Sequence, residues 1–188
     1  MRVMAYIGLG ANLNDPAAQV GDAFAELDRI PSTRLVARSS LYATAPVGNV
    51  NQPDFINAVA QVETALAPRA LLAALLDIEQ RHGRERSFRN APRTLDLDLL
   101  LYGDARFHED HLTLPHPRMT ERAFVLLPLT EIAPKLTIPD CGRAADWLVS
   151  CADQSVVVVA LAAIQPQPPL SGEAVAPLNP IKHTVAGL

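Results

Sequence analysis

The order of secondary-structure elements predicts an α+β protein with a ferredoxin-like βαββαβ core, in which an antiparallel sheet carries both helices on one face. Three observations support this prediction. Phe55–Thr64 alternates in side-chain character with a period of two, which is typical of a strand. Apolar residues recur at helical spacing in two stretches. Residues 92–101 form an apolar run bounded by turn signals, which indicates a buried strand.

The first half of the chain contributes two strands and a helix. A strand over residues 3–9 runs into a tight turn with Gly8 and Gly10, but the sequence continues with neither a third glycine at the required place nor Gly-Lys-Ser/Thr, so we interpret the turn as a strand exit and not a phosphate loop. Asp15 and Pro16 provide an N-cap and a first-turn proline for a helix over residues 16–29. A second strand is expected at residues 35–42.

The central part repeats the pattern and the C-terminal part adds to it. The third strand is Phe55–Thr64, and a second helix over residues 68–82 starts at Pro68 and stops at Gly83. After the strand at residues 92–101 we expect a rigid segment at 112–117, short helices at 120–127 and 144–149, and an edge strand at 156–162. The predicted organisation is one domain over residues 1–163 and a proline-rich tail over 164–188, extended or disordered.

Composition and charge narrow the function classes. The chain has 188 residues, 49% hydrophobic and 19% charged, with a formal net charge of −4, so the molecule as a whole does not attract polyanions. There is no apolar run of roughly 20 residues and no signal-like N-terminus. We expect a cytoplasmic protein without a membrane or nucleic-acid partner, monomeric by default, with Cys141 and Cys151 as free thiols.

Two aspartates dominate the strand at residues 92–101. Asp96 and Asp98 project to the same side of a strand, because side chains alternate faces. The other side is expected to be filled by leucines, at Leu95, Leu97, Leu99 and Leu101. Two neighbouring carboxylates repel each other unless a cation lies between them, and Mg²⁺ commonly binds through one or two carboxylates and substrate phosphates. The alternative is a pair that is merely solvated.

An arginine-rich segment precedes this strand, with Arg84, Arg86, Arg89 and Arg93 within ten residues. A solvated loop is one interpretation. However, arginine groups for phosphate oxygens next to carboxylates for Mg²⁺ are the two halves of a phosphoryl-transfer site.

A candidate ring-binding surface lies on the strand Phe55–Thr64. Phe55 and Asn57 share one face next to a Pro/Gly loop, where the phenyl ring could stack on a flat heterocycle and the amide could recognise its edge. The alternative is a rim aromatic beside a turn-capping amide. His116 either faces phosphates or caps a turn. In the predicted topology Phe55, Asn57, Asp96 and Asp98 share the open face of the sheet.

With these residues in view, the chain resembles the 6-hydroxymethyl-7,8-dihydropterin pyrophosphokinase family over residues 3–160. The most specific match is Pro-Arg-Thr-Leu-Asp-Leu-Asp at residues 92–98. Further matches are Tyr-Ile-Gly-Leu-Gly-Ala-Asn-Leu at 6–13, Thr-Ala-Pro-Val-Gly at 44–48, Gln-Pro-Asp-Phe-Ile-Asn at 52–57, Leu-Pro-His at 114–116 and Arg-Ala-Phe at 122–124. Such enzymes transfer pyrophosphate from ATP to the pterin hydroxymethyl group in folate biosynthesis and release AMP.

The resemblance implies a role for each matching position. Asp96 and Asp98 would hold two Mg²⁺ ions, and Asp98, with Arg84 and Arg93, would be catalytic. ATP would be bound by Glu79, Arg84, Arg86, Arg93, His111, Thr113, His116 and Arg122. The pterin would be bound by Phe55, Phe124, Asn57 and the backbone of Thr44, Pro46 and Val47.

The chain departs from the family pattern at a few positions. Asn90 and Ala91 stand where many relatives have Trp-Gly, so Phe88 or Arg89 would have to provide the loop-closing contact; Pro117 replaces an aromatic residue and His111 an arginine. None of these changes removes a predicted metal ligand.

A non-catalytic RNA-binding module of the same topology is the alternative function, since such domains stack bases on sheet aromatics. The aromatic content of 5% and the negative net charge argue against this alternative.

Overall fold

A computed structural model describes residues 1–46, 52–83 and 93–160 of the chain. Its helices and strands, in chain order, are β1 (Val3–Ala11), α1 (Pro16–Asp28), β2 (Thr33–Arg38), β3 (Leu41–Thr44), β4 (Phe55–Thr64), α2 (Pro68–Arg81), β5 (Asp96–Tyr102), β6 (Phe107–Glu109), β7 (Leu112–Leu114), α3 (Ala123–Ile132), β8 (Thr137–Ile138), β9 (Gly142–Arg143) and β10 (Val157–Ala160). Two 3₁₀ helices, Met119–Glu121 and Ala144–Cys151, precede and follow α3. No helix in the described ranges is long and apolar enough to cross a membrane.

The main sheet confirms the predicted fold class. Its strand order is β10-β3-β4-β1-β5, with β2 also paired to β4, and all of these pairs are antiparallel. If β2 and β3 count as one interrupted strand, the first four predicted strands have the ferredoxin-like order. The predicted C-terminal strand is also confirmed, because β10 pairs with β3 at the sheet edge.

Each face of the sheet packs against its own helices. On one face, α1 and α2 contribute Phe24, Leu27, Leu71 and Leu75 to a core cluster in which these side chains are almost fully buried, so the prediction that both helices share a face is confirmed. On the other face α3 and the second 3₁₀ helix pack against a smaller cluster that includes Val59. The C-terminal additions therefore cover part of the face that the ferredoxin-like core leaves open.

Several predicted boundaries need correction. β1 continues through the Gly8–Gly10 turn to Ala11, so this segment is strand and not a strand exit. The strand expected at residues 35–42 is two strands, because Ser39 and Ser40 interrupt it. Ser39 Oγ accepts a hydrogen bond from the Val59 N–H at 2.9 Å and donates to the Ser40 carbonyl at 2.8 Å, so serine side chains replace part of the regular ladder.

The C-terminal additions are also more elaborate than predicted. The helix expected at residues 120–127 is a 3₁₀ turn followed by the longer α3, and the helix expected at 144–149 is a 3₁₀ helix. The segment at residues 112–117, predicted only to be rigid, contributes β7 to a hairpin with β6. Both cysteines are free, as predicted. The tail at residues 164–188 lies outside the described residues.

β5 starts later than expected and contains a bulge. The backbone N–H of Arg93 donates to the Asn12 side chain, and the regular strand begins only at Asp96. The pairing with β1 places Tyr6 opposite Leu101 but Ile7 opposite Leu99, so Leu100 is the extra residue. The prediction that Leu101 shares a face with Leu95, Leu97 and Leu99 is therefore wrong, because the bulge turns Leu101 to the opposite core cluster.

Glu131 fastens α3 to the interrupted strand. Its carboxylate accepts hydrogen bonds from the Ser40 N–H at 3.0 Å, the Ser40 hydroxyl at 2.8 Å and the Tyr42 hydroxyl at 2.7 Å. Burial and this carboxylate raise the pKa of Tyr42.

We expect Glu131→Ala to lower the free energy of unfolding by about 2 kcal/mol, because hydrogen bonds to a charged group are lost and their donors are left unpaired. Urea unfolding measures this, with Asp110→Ala in an exposed turn as the control; equal effects of the two changes would contradict the expectation.

Candidate functional site

A pocket of about 480 Å³ opens on the sheet face that carries α3. This volume lies in the range of small-molecule sites. It brings together the predicted site residues Thr44, Phe55, Asn57, Arg93, Asp96, Asp98, His116, Arg122 and Phe124. The prediction that the candidate residues of β4 and β5 share one surface is therefore confirmed, although their individual roles stay predictions.

Two glycines of β1 form the floor of this pocket. Gly10 pairs with Asn57 of β4 on one side and with Asp96 of β5 on the other, and Gly8 lies correspondingly between Val59 and Asp98. A side chain at Gly10 would therefore stand between the amide and the carboxylate; even a Cβ atom there would lie 3.4 Å from Asn57 Oδ1. The glycines keep the space between the two flanking strands open.

We expect Gly10→Val to weaken binding of a pocket ligand by at least about tenfold, because its methyl groups occupy the floor of the site. The unfolding temperature should change little, since the only atom that a Cβ at Gly10 meets within 4 Å is Asn57 Oδ1, in ordinary van der Waals contact at 3.4 Å. Gly21→Val is the matched control, because a Cβ at this α1 position meets no atom within 4 Å. Calorimetric titration measures the binding, and unchanged affinity in Gly10→Val would contradict the pocket assignment.

The acidic pair of β5 is partly neutralised by arginines. Arg93 Nη1 donates to Asp96 Oδ2 in a close ion pair, and Arg122 Nη1 lies 3.7 Å from Asp98 Oδ2. Burial raises the pKa of Asp98, and the nearby Asp96 raises it further, despite the opposing effects of His116, Arg122 and Arg93. The Asp98 side chain is 42% exposed in the pocket. Its raised pKa indicates that His116, Arg122 and Arg93 offset only part of the effects of burial and of Asp96.

His116 and Arg122 line the pocket beside this pair and form its basic wall. Burial lowers the pKa of Arg122, with a further contribution from Arg118. Burial also lowers the pKa of His116, which favours a neutral ring. The Arg118 N–H donates to His116 Nδ1 at 3.2 Å, so the proton of the neutral ring is assigned to Nε2. A neutral His116 ring with its proton on Nε2 is suited to donate a hydrogen bond to a ligand rather than to act as a cation.

The other half of the pocket is aromatic and amide-lined. Asn57 is 5% exposed, and its Nδ2 donates to Thr44 Oγ1 at 2.9 Å, which sets the orientation of the amide. Phe55 and Phe124, from β4 and α3, both line the cavity. The Arg122 guanidinium lies 5.6 Å from the centre of the Phe124 ring, so this contact links the aromatic half to the basic wall.

Some predicted residues do not line the pocket. Glu79 is 1% exposed on α2 and accepts a hydrogen bond from the Leu97 N–H at 2.7 Å, so it holds β5 from the side of the helices. A contact with ATP would require this buried carboxylate to become accessible. Pro46 is half-buried beside the pocket-lining segment, and His111 and Thr113 belong to the β6–β7 hairpin. Their predicted contacts stay untested.

Other predicted residues lie outside the described part of the chain. These are Val47, Arg84 and Arg86, together with Phe88, Arg89, Asn90 and Ala91.

Several residues of the pocket wall were not predicted from the sequence, namely Gln52, Arg118, Glu121 and Gln154. Gln154 shows why. Its Oε1 accepts from the Ala123 N–H at the start of α3, and its Nε2 donates to the Glu121 carbonyl, both at 2.9 Å. It thereby holds the backbone on both sides of Arg122 from more than thirty residues away. No local pattern signals such a contact, whereas glycines two residues apart in a strand could have indicated the pocket floor.

A larger depression of about 910 Å³ lies between the ends of α1 and α2 on the opposite face. Several of its polar side chains bind one another: Arg81 pairs with Glu26 and Asp77, and His82 contacts Glu26 and Gln19. The smaller pocket combines two carboxylates of one strand with arginines, a histidine and two aromatic rings, so it is the better candidate for chemistry.

Comparison with known proteins decides the family. The sequence model of the 7,8-dihydro-6-hydroxymethylpterin-pyrophosphokinase family matches residues 6–134. The chain belongs to this family. A 2-amino-4-hydroxy-6-hydroxymethyldihydropteridine pyrophosphokinase of Pseudomonas aeruginosa is 47% identical over 78% of this chain and 90% of its own length. The enzyme of the same name from Haemophilus influenzae is 43% identical over 82% of this chain and 97% of its own length.

Solved structures support the same fold. The crystal structure of wild-type Plasmodium falciparum HPPK-DHPS with SDX-DHP matches with a TM-score of 0.58 and 15% identity. The match covers 77% of this chain but only 43% of the longer one. As a family member, the chain is an ATP-dependent pyrophosphokinase of folate biosynthesis. The alternative of an RNA-binding module is not supported by these relatives.

Proposed function

We propose that this pocket transfers pyrophosphate from ATP to 6-hydroxymethyl-7,8-dihydropterin, with Asp96 and Asp98 on the metal side and Phe55, Asn57 and Phe124 on the pterin side. One observation carries the proposal: both halves lie in one cavity, and Arg122 connects them because it contacts both Asp98 and the ring of Phe124.

The acidic pair fits hard divalent cations. Two carboxylates project from one strand face into the pocket, and the pKa of Asp98 is raised by burial and further by Asp96, two effects that a bound cation would offset. Among the described residues no group of three or more His, Cys, Asp or Glu side chains could hold a metal on its own. Asp96 and Asp98 would therefore hold two Mg²⁺ ions together with ATP phosphates and water, as is common for Mg²⁺. When bound, the ions would offset phosphate charge and polarise the phosphoryl group.

The side chains of this protein would supply orientation and charge. The pterin hydroxymethyl oxygen attacks the β-phosphorus, the bond between that phosphorus and the α,β-bridging oxygen breaks, and AMP leaves with the bridging oxygen. Arg93, Arg122 and the Nε2–H of His116 would meet the negative charge on the phosphate oxygens. Arg84 and Arg86 are proposed to join them. The proton of the substrate hydroxyl would go to one of two acceptors, either Asp98, whose pKa is raised, or solvent water.

The pterin side would fix the geometry of attack. The rings of Phe55 and Phe124 would enclose the flat pterin, and Asn57 with the backbone of Thr44, Pro46 and Val47 would bind its polar edge. Glu79, His111 and Thr113 stay predicted ATP contacts. Action as a cytoplasmic monomer is likewise part of the proposal, and sedimentation of the purified chain tests its oligomeric state.

Product analysis tests the reaction directly. With ATP, Mg²⁺ and 6-hydroxymethyl-7,8-dihydropterin we expect AMP and the pterin diphosphate in equal amounts, and no AMP without the pterin. Formation of ADP would show transfer of a single phosphoryl group and contradict the proposal, as would lack of turnover with freshly reduced substrate.

A further inference from the structure

Asn12 occupies a junction behind the pocket. It follows β1 directly and is 1% exposed, and it does not belong to the residues that line the cavity. Its Nδ2 donates to Gln52 Oε1 at 3.1 Å and to the Pro53 carbonyl at 3.2 Å. Its Oδ1 accepts from the Arg93 N–H at 2.8 Å. Both hydrogens of the amide and its oxygen are therefore engaged.

The two sides of this junction belong to different halves of the proposed site. Arg93 lines the pocket and pairs with Asp96 on the metal side. Gln52 and Pro53 lie one residue before the start of β4, which carries Phe55 and Asn57 on the pterin side. The backbone N–H of Asn12 adds a bond of 3.0 Å to the Arg93 carbonyl, so the Arg93 backbone is held through both of its polar groups.

We infer that Asn12 is a positioning residue that couples the two halves, so that occupancy of the nucleotide side strengthens binding on the pterin side and the reverse. The inference rests on the proposed function. Its physical basis is that one planar amide serves both segments: a shift of Arg93 that reorients the amide also moves the donors to Gln52 and Pro53. Buried amides with all hydrogen bonds formed tolerate such shifts poorly.

Asn12→Asp is the selective variant. The side chain keeps its shape and its acceptor for the Arg93 N–H, but an oxygen replaces Nδ2 and faces the Pro53 carbonyl, which has no proton to donate. Asn14→Asp is the matched control, because it makes the same chemical change two residues away at an exposed position. Asn12→Ser, whose short side chain cannot span both segments, provides a second variant.

Calorimetric titration measures the coupling as the ratio of oxidised 6-hydroxymethylpterin affinities with and without the Mg²⁺ complex of a non-hydrolysable ATP analogue. We expect a ratio of about tenfold or more in the unaltered protein, within the usual range of coupling between sites. In Asn12→Asp and Asn12→Ser the ratio should fall below about twofold, while the affinity for the analogue alone stays within about threefold. Asn14→Asp should behave like the unaltered protein.

The outcomes separate the two proposals. Retained coupling in either folded Asn12 variant overturns the inference, as does absence of coupling in an unaltered protein that binds both compounds. An unaltered protein that binds neither overturns the proposed function itself. If the variants do not fold, the side-chain NH₂ resonances of Asn12 in the unaltered protein decide: each compound alone should shift them, and no shift with either overturns the inference.

Discussion

Replacing Asp98 by asparagine is expected to lower the rate of AMP formation by about 10³-fold, because a carboxylate ligand for Mg²⁺ is lost and metal ions typically contribute several kcal/mol to such transition states. The variant keeps the size of the side chain, so the pocket shape should be preserved. Steady-state kinetics at saturating Mg²⁺ measure the effect. Asp104→Asn, an exposed residue in the turn after β5, is the matched control and should leave the rate unchanged.

The same variant should stabilise the protein in the absence of metal. The pKa of Asp98 is raised in the folded protein, so its charged form opposes folding, and stability is lost as the pH rises through the raised pKa. Asparagine resembles the protonated acid. At pH 7 without Mg²⁺, Asp98→Asn should therefore unfold at a higher temperature than the unaltered protein, and the difference should shrink below about pH 4, where the unfolded acid is also protonated. A variant that is less stable at pH 7 would contradict the expectation that the charged form of Asp98 opposes folding.

Arg122→Ala is expected to lower kcat/KM by about 10²-fold, since removing one preorganised donor to developing phosphate charge commonly has an effect of this size. The change also removes the cation over the Phe124 ring and leaves Asp98 without its 3.7 Å partner. Both halves of the pocket should therefore be weakened, with higher KM values for ATP and for the pterin.

Arg122→Lys separates charge from shape. Lysine restores a positive charge near Asp98 but not the planar group that lies over Phe124, so it should recover most of the ATP affinity and less of the pterin affinity. Steady-state kinetics with each substrate varied in turn distinguish the two effects. An Arg122→Ala enzyme with unchanged KM values and rate would contradict the assigned position of Arg122 between the two substrates.

The sequence was sufficient for the fold because its information is periodic. Alternation in β4 and helical spacing in α1 and α2 follow from local geometry, and they yield the element order directly. The shared orientation of Asp96 and Asp98 follows from the same rule. The convergence of β4 and β5 on one pocket then follows from the ferredoxin-like topology, in which both strands flank β1.

What the sequence did not reveal depends on pairing and on distant contacts. The bulge at Leu100 arises from the register between β5 and β1. No residue pattern within β5 predicts that Leu101 lies on the opposite face of the sheet from Leu99. At the interruption of the strand, Ser40 is bound by Glu131, about ninety residues later. Gln154 and Asn12 likewise act across long stretches of chain, so their roles appear only once the elements are packed.

The most direct test of the account is a crystal structure with Mg²⁺, a non-hydrolysable ATP analogue and oxidised 6-hydroxymethylpterin. We expect metal ions about 2.1 Å from oxygens of Asp96 and Asp98, phosphates against Arg122 and His116, and the pterin ring between Phe55 and Phe124. A nucleotide bound elsewhere, or a pocket in which Asp96 and Asp98 contact only arginines while both compounds are present, would contradict it.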